Sequence, residues 1–358
     1  PKTRVFGTGT TLDTSRLKSY LADALNVDSK AVDAYGFVGC SNNDDIVPEN
    51  KNEKLAGPKP AKVVINVIEG HLHGYAAFHE NKMYDGVKYM DAPQEFVYTL
   101  QGDKWVPDPK NPPYLYAMSY NQMQNSEAAV SIALDIKYYD AAGNLMNGKF
   151  IDNGQSEHYQ HFFVVKDQKP FPDFDTKLDN PTNQEFMRYD YVDPTPWNET
   201  MHSGKAEYNG LKDPLGFKGI LSFGYCRQTC NLNIMLMESH NKKTVNLKNL
   251  VFKDTWGEPV EAHSKVADWV PTSEQLKNNK WYPTINLPVM VYMDRAELGE
   301  GEDNVTLTMT ENEVPTSFKR LISTLKYAFN LTYKQALTEL YYRLNGEPAP
   351  HDNSGYWF

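Results

Sequence analysis

From residue 62 onward the chain is written in period two. Val63, Ile65 and Val67 alternate with Val64, Asn66 and Ile68, and Val130, Ile132, Leu134 and Ile136 alternate with Ser131, Ala133, Asp135 and Lys137. Successive side chains of a strand point to opposite faces, so such runs commit the chain to sheet. Residues 161–166, 219–225, 231–238, 245–253, 289–293 and 305–310 are further strand candidates. Pro-rich loops at 106–113, 169–172 and 193–196 separate them, and residues 140–144 (DAAGN) carry a turn signal. Many short strands with such loops predict a mainly β (α+β) fold of sandwich-like antiparallel sheets.

The period changes near the C-terminus. Leu321, Ile322, Leu325, Ala328 and Phe329 fall on one face of a helix over 317–329. Thr332 and Gln335 then form a T-x-x-Q capping box, Ala336, Leu337, Leu340 and Leu344 follow, and Gly346 is a stop signal. A C-terminal helical hairpin packed on a sheet is the expected arrangement.

Charge narrows the partners. With 36 Lys+Arg against 46 Asp+Glu the formal charge is −10, and no basic block stands out, so nucleic acid is excluded as an expected partner. No apolar run approaches the ~18 residues of a membrane helix. Aromatic residues at 13% supply enough bulk for a real core. Neither G-x-S-x-G, H-E-x-x-H nor a phosphate-binding loop occurs, so the body is not expected to be an enzyme.

Four regions follow. Residues 1–35 form a helical segment unlike the rest, residues 36–61 a polar start and flexible linker, residues 62–314 the β-rich ligand-binding region in one or two domains, and residues 315–358 the helical hairpin and tail. In the first region the G-T-T-L-D-T-S-R stretch and the helix after it resemble the L-lactate dehydrogenase family. The resemblance implies that Asp13 orients a catalytic histidine and that Arg16 clamps a substrate carboxylate. The likeness stops near Tyr35, before the element that carries the family's histidine, and G-x-G-x-x-G is missing. No NAD binding is therefore expected.

The next residues, Phe37, Val38, Gly39 and Cys40, resemble a bacterial lipobox, and Ser41 to Asp45 resemble the polar tether of Bacteroidota surface lipoproteins. The resemblance implies lipidation at Cys40, an outer-membrane or cell-surface location, and a membrane attachment made only through that anchor. Cys226 and Cys230 then remain, flanking three residues between two strand-like runs. They are expected to close a small disulfide at a hairpin end.

The nine histidines are unevenly spread. His71, His73 and His79 fall together, with Gly70 and Gly74 beside them, and His158 and His161 form a second group. His71 and His73 share a face if their strand continues. On a strand His158 and His161 face opposite ways, whereas a helical turn would bring them together. Imidazole ligates zinc, copper, nickel and iron, with Glu69, Glu80 or Glu157 as a carboxylate partner. The competing reading is structural: polar core or turn histidines. The H-L-H-G and E-H-Y-Q-H-F-F stretches also resemble uncharacterised Bacteroidota lipoproteins. The expected function is capture of zinc, copper, iron, haem or a metal-containing nutrient by His71, His73, His79, His158 and His161. Hand-off to a TonB-dependent outer-membrane transporter would follow, in a pH-sensitive manner because only neutral imidazole ligates. The alternative is carbohydrate binding by loop aromatics such as Trp197, Trp256, Trp269 and Trp281. The acidic stretch at 297–303 lacks the spacing of a calcium loop and reads as a solvated loop.

Overall fold

The computed structural model describes residues 55–73, 77–119, 131–172, 174, 183–249, 265–298, 305–346, 355, 357 and 358. The dehydrogenase-like segment with Asp13 and Arg16, the lipobox with Cys40, Trp256 and most of the acidic stretch at 297–303 lie outside them.

The strands are β1 (Lys62–His73), β2 (Ala77–Glu80), β3 (Gln94–Gln101), β4 (Lys104–Pro107), β5 (Leu115–Ser119), β6 (Ser131–Tyr139), β7 (Tyr159–Pro170) and β8 (Met187–Tyr191). They continue with β9 (Pro194–Thr195), β10 (Glu207–Tyr208), β11 (Lys218–Phe223), β12 (Gln228–Glu238), β13 (Leu247–Lys248), β14 (Val266–Ala267), β15 (Lys280–Trp281) and β16 (Ile285–Asp294). One seven-stranded sheet runs β4-β3-β1-β6-β11-β8, with β2 added to β1. A five-stranded sheet runs β15-β12-β16-β5, with β7 on β12. Among the described residues all strand pairings are antiparallel except β16 with β5. The two-stranded pairs β9–β10 and β13–β14 complete the set.

Alternation explains the stacking. Val63, Ile65 and Val67 of β1 share one core with Leu232, Ile234 and Leu236 of β12 and Leu287, Val289 and Val291 of β16. The two large sheets therefore face one another as the period-two pattern requires. Phe163 of β7 stacks on Tyr189 of β8 at 3.6 Å between ring centres, and Trp105 Nε1 donates to Pro283 O at 3.0 Å. The opposite face of β16 carries Met290 and Tyr292 into a second core with the helices. These are α1 (Asn147–Ile151), α2 (Asn183–Phe186), α3 (Ser273–Asn278), α4 (Thr316–Phe329) and α5 (Tyr333–Asn345), of which α4 and α5 form the layer over β16. Thr332 and Gln335 make the full capping box of α5, and the Gly346 N–H closes its end on Tyr342 O at 2.7 Å. Among the described residues no helix is long and apolar enough to cross a membrane.

Three expectations need correction. Residues 305–310 turn instead of forming a strand: their alternation is carried by threonines, and Thr306 and Thr310 bond locally, to Thr308 and Glu313. Hydroxyls that bond their own neighbourhood draw the backbone away from a ladder. The linker is not loose to its end, because the amides of Ala56 and Gly57 donate to the buried Glu238 carboxylate at 3.0 and 3.2 Å. Cys226 and Cys230 are free thiols. The run before them is β11 of the first sheet and the run after them is β12 of the second, so the chain crosses between sheets and never forms the expected hairpin.

One carboxylate of α5 fixes the segment that leads to the site. Glu339 is 3% exposed and accepts from the amides of Lys88, Tyr89 and Met90 at 2.6–3.1 Å. Glu339→Ala leaves those donors without their acceptor and is expected to cost about 1–3 kcal/mol. The check is a urea titration; an unchanged midpoint would show that the amides find other acceptors.

Candidate functional site

β1 is longer than its neighbours, and its two ends pair differently. Residues Lys62 to Val67 pair with β3, and Gly70 to His73 pair with β2. Only a glycine fits at 70: a Cβ there would sit 2.3 Å from His79 O and 2.4 Å from Phe78 Cζ. This close approach sets His71 directly opposite His79 in the register. Their ring centres are 5.3 Å apart, with the planes tilted by 50°. His79 is 1% exposed and His71 is half-buried. β1 runs on through His73, the continuation on which a shared face for His71 and His73 depended, while the His73 side chain lies outside the described residues.

The pair is held from one side by a polar relay. His71 Nδ1 lies 2.8 Å from Asn81 Oδ1, the geometry of an Nδ1–H donor, and Asn81 Nδ2 reaches Glu69 Oε1 at 3.5 Å. With Nδ1 anchored to an amide oxygen, Nε2 is the ring atom a metal would take. Glu69 in turn receives Arg295 at 2.7 Å. Beside it stands Asp91, ion-paired with Arg343 of α5. Asp91 has φ 58°, in the left-handed region that Asp tolerates, and this turn points its carboxylate inward. Burial pushes the Glu69 carboxyl well above the usual range, the Asp91 charge adds to that, and Arg295 and Arg343 oppose it. A cavity of about 20 Å³, room for one water, lies against Glu69 and Asp91.

The strand edge is covered by the C-terminal residues. Trp357 N donates to Phe78 O and its Nε1 to Glu80 Oε2, both at 3.0 Å, and Phe358 buries its ring on Phe78. Glu80 is thus taken by Trp357.

The second histidine group stands elsewhere and does different work. His158 ends a short 3-10 turn (Gln155–His158), and its Nδ1 lies 3.1 Å from Ser239 O. Glu157 of that turn is paired with Lys242. His161 points into the core from β7 and is fully buried. Its Nδ1 lies 3.2 Å from Leu215 O and its Nε2 lies 3.0 Å from the Tyr138 hydroxyl. Both ring nitrogens are therefore used, the first as donor and the second as acceptor. Burial pushes its pKa down to about 3. His161 is a core histidine, and the structure does not bring it together with the first group. Among the described residues no three His, Cys, Asp or Glu side chains converge as a metal-ligand set. The sequence reading named Glu69 but missed Asn81, Asp91, Arg295 and Arg343. Only Asn81, two residues after His79, left a local trace. The thiols carry no sign of activation: burial raises the pKa of both Cys226 and Cys230.

No family model matches this chain, and no solved structure matches it. A stretch of 67 residues is 45% identical to L-lactate dehydrogenase 2 of Lactiplantibacillus plantarum. It covers 19% of this chain and 21% of that protein, so the chain spans about a fifth of the curated relative it matches. The partial likeness to L-lactate dehydrogenase runs over more residues than the 35 expected from the sequence, and it does not define a family for the whole.

Proposed function

We propose that this chain is a surface lipoprotein, anchored through Cys40, that captures a single metal ion at the His71–His79 pair and passes it to a TonB-dependent outer-membrane transporter. The observation that carries the reading is the 5.3 Å spacing of the two rings. Two imidazoles on one tetrahedral ion, with metal–nitrogen bonds of ~2.0–2.1 Å, place their ring centres roughly 5 Å apart. On opposite faces of a haem iron the rings would stand roughly 6–7 Å apart. The spacing thus favours a single ion, zinc first and copper or iron as competitors, over haem. Asn81 and Glu69 behind His71 are the outer partners that a ligating histidine commonly has. His73, from the same strand, or a donor brought by the nutrient would complete the set.

The test is elemental analysis of residues 40–358 purified without chelator, followed by calorimetric titration with Zn²⁺, Cu²⁺ and haem separately. One equivalent of zinc or copper is expected, with affinity reduced about 100-fold or more in His71→Ala and His79→Ala, as for loss of a direct ligand. A chain that takes up neither ion, or that binds equally well without these histidines, sinks the reading. His161→Gln should leave metal affinity unchanged.

A further inference from the structure

We propose that a second site, independent of the histidine pair, binds a neutral carbohydrate in the cleft around Trp197. The cleft has a volume of about 630 Å³, within the range of small-molecule sites. Its apolar wall is made by Trp197, Pro196, Ile151 and Leu145, and Leu145 is 49% exposed there. Its polar side carries the carboxamides of Asn153, Asn198 and Asn209 and the carboxylate of Asp152. Among the described residues no Lys, Arg or His lines it. That absence of cations argues against phosphate or carboxylate ligands. An amide offers both donors and an acceptor, which suits hydroxyl groups that do both. A pyranose ring has the same two characters, a C–H face for the indole and a hydroxyl rim for the amides.

The aromatic wall is built before any ligand arrives. Phe217 meets the Trp197 ring edge-on at 6.4 Å, and Lys218 Nζ lies 4.9 Å from the ring centre while donating to Trp197 O at 2.8 Å. Lys218 is 6% exposed, so this support is buried. The facing segments are tied by the β9–β10 pair and by a hydrogen bond from Asn209 Nδ2 to Thr195 Oγ1. A rigid aromatic loses little freedom on binding, which favours stacking.

The experiment is native electrophoresis of the full chain through gels cast with soluble β-glucan, xylan, galactomannan or pectic galactan, with Trp fluorescence titration for any that retard it. Retardation by at least one polysaccharide is expected, with little change on raising salt because the ligand is neutral. Trp197→Ala should weaken it about tenfold or more, as for an interface anchor. Asn198→Ala, at an exposed position that leaves the fold alone, should weaken it several-fold. His71→Ala should bind the polysaccharide as the parent does. No retardation by any of the four, a steep salt dependence, or full binding by both the Trp197 and Asn198 variants would overturn the proposal.

Discussion

Arg343→Met is expected to lower folding stability by about 3–5 kcal/mol, because it strands a buried carboxylate. The Arg343 and Asp91 side chains are 7% and 3% exposed, so solvent does little to screen their ion pair. Glu69 lies beside them, and burial first, with the Asp91 charge added to it, already holds its carboxyl well above the usual range. Removing the guanidinium leaves the two acids with Arg295 alone, paired to Glu69 at 2.7 Å. Methionine keeps most of the volume, so the loss is electrostatic more than a cavity effect. The double variant Arg343→Met/Asp91→Asn should recover a large part of the loss, since neutralising both partners removes the stranded charge. Urea unfolding followed by Trp fluorescence reads both. A single variant within about 1 kcal/mol of the parent would mean that water reaches the cluster and solvates it.

That cluster also marks where sequence reading stops. Period two exposed β1, β6, β7 and β12 because each has a face in the shared core. The capping box exposed α5 because Thr332 and Gln335 are three residues apart and their bonds are local. β2 has only four residues, and what makes it a strand is its pairing with Gly70 to His73. β5 lies parallel to β16, far along the chain, so its register carries no local signature. The site divides the same way. His71 and His79 were legible because one hairpin joins them. The Glu69–Arg295 pairing spans 226 residues and Asp91–Arg343 spans 252, distances at which spacing says nothing. His161 was read as a candidate ligand because its partners, Tyr138 and the carbonyl of Leu215, arrive only when the sheets stack.

His161→Gln is expected to change how the protein meets acid. The imidazole has a pKa of about 3 when folded against 6.5 as the ordinary value, so between those limits the unfolded chain binds more protons than the native one. Its contribution is therefore fully present above about pH 6.5 and is lost as the pH falls toward 3, on the order of 4–5 kcal/mol at most. Asp193 opposes it. That buried carboxyl accepts from the amides of Gly216, Phe217 and Lys218, yet burial outweighs these bonds and raises its pKa to about 6 from 3.8. There the native state binds the extra proton, so stability rises as the pH falls from about 6 to 4. The two slopes offset one another in that window, and below about pH 4 only the histidine slope remains. The parent should keep its stability between pH 6 and 4, where the raised Glu69 carboxyl acts in the same direction as Asp193, and then decline by about 1–2 kcal/mol per pH unit. Glutamine keeps one donor for Leu215 and one acceptor for Tyr138 but loses the ring packed on Phe217 at 4.7 Å. His161→Gln should thus be about 1–3 kcal/mol less stable at pH 7 and flatter below pH 4. Asp193→Asn should show the reverse, with a loss that begins near pH 6. Urea titrations at pH 7, 6, 5, 4 and 3.5 separate these cases, and parallel curves for the parent and His161→Gln would show that the ring is protonated without unfolding the core.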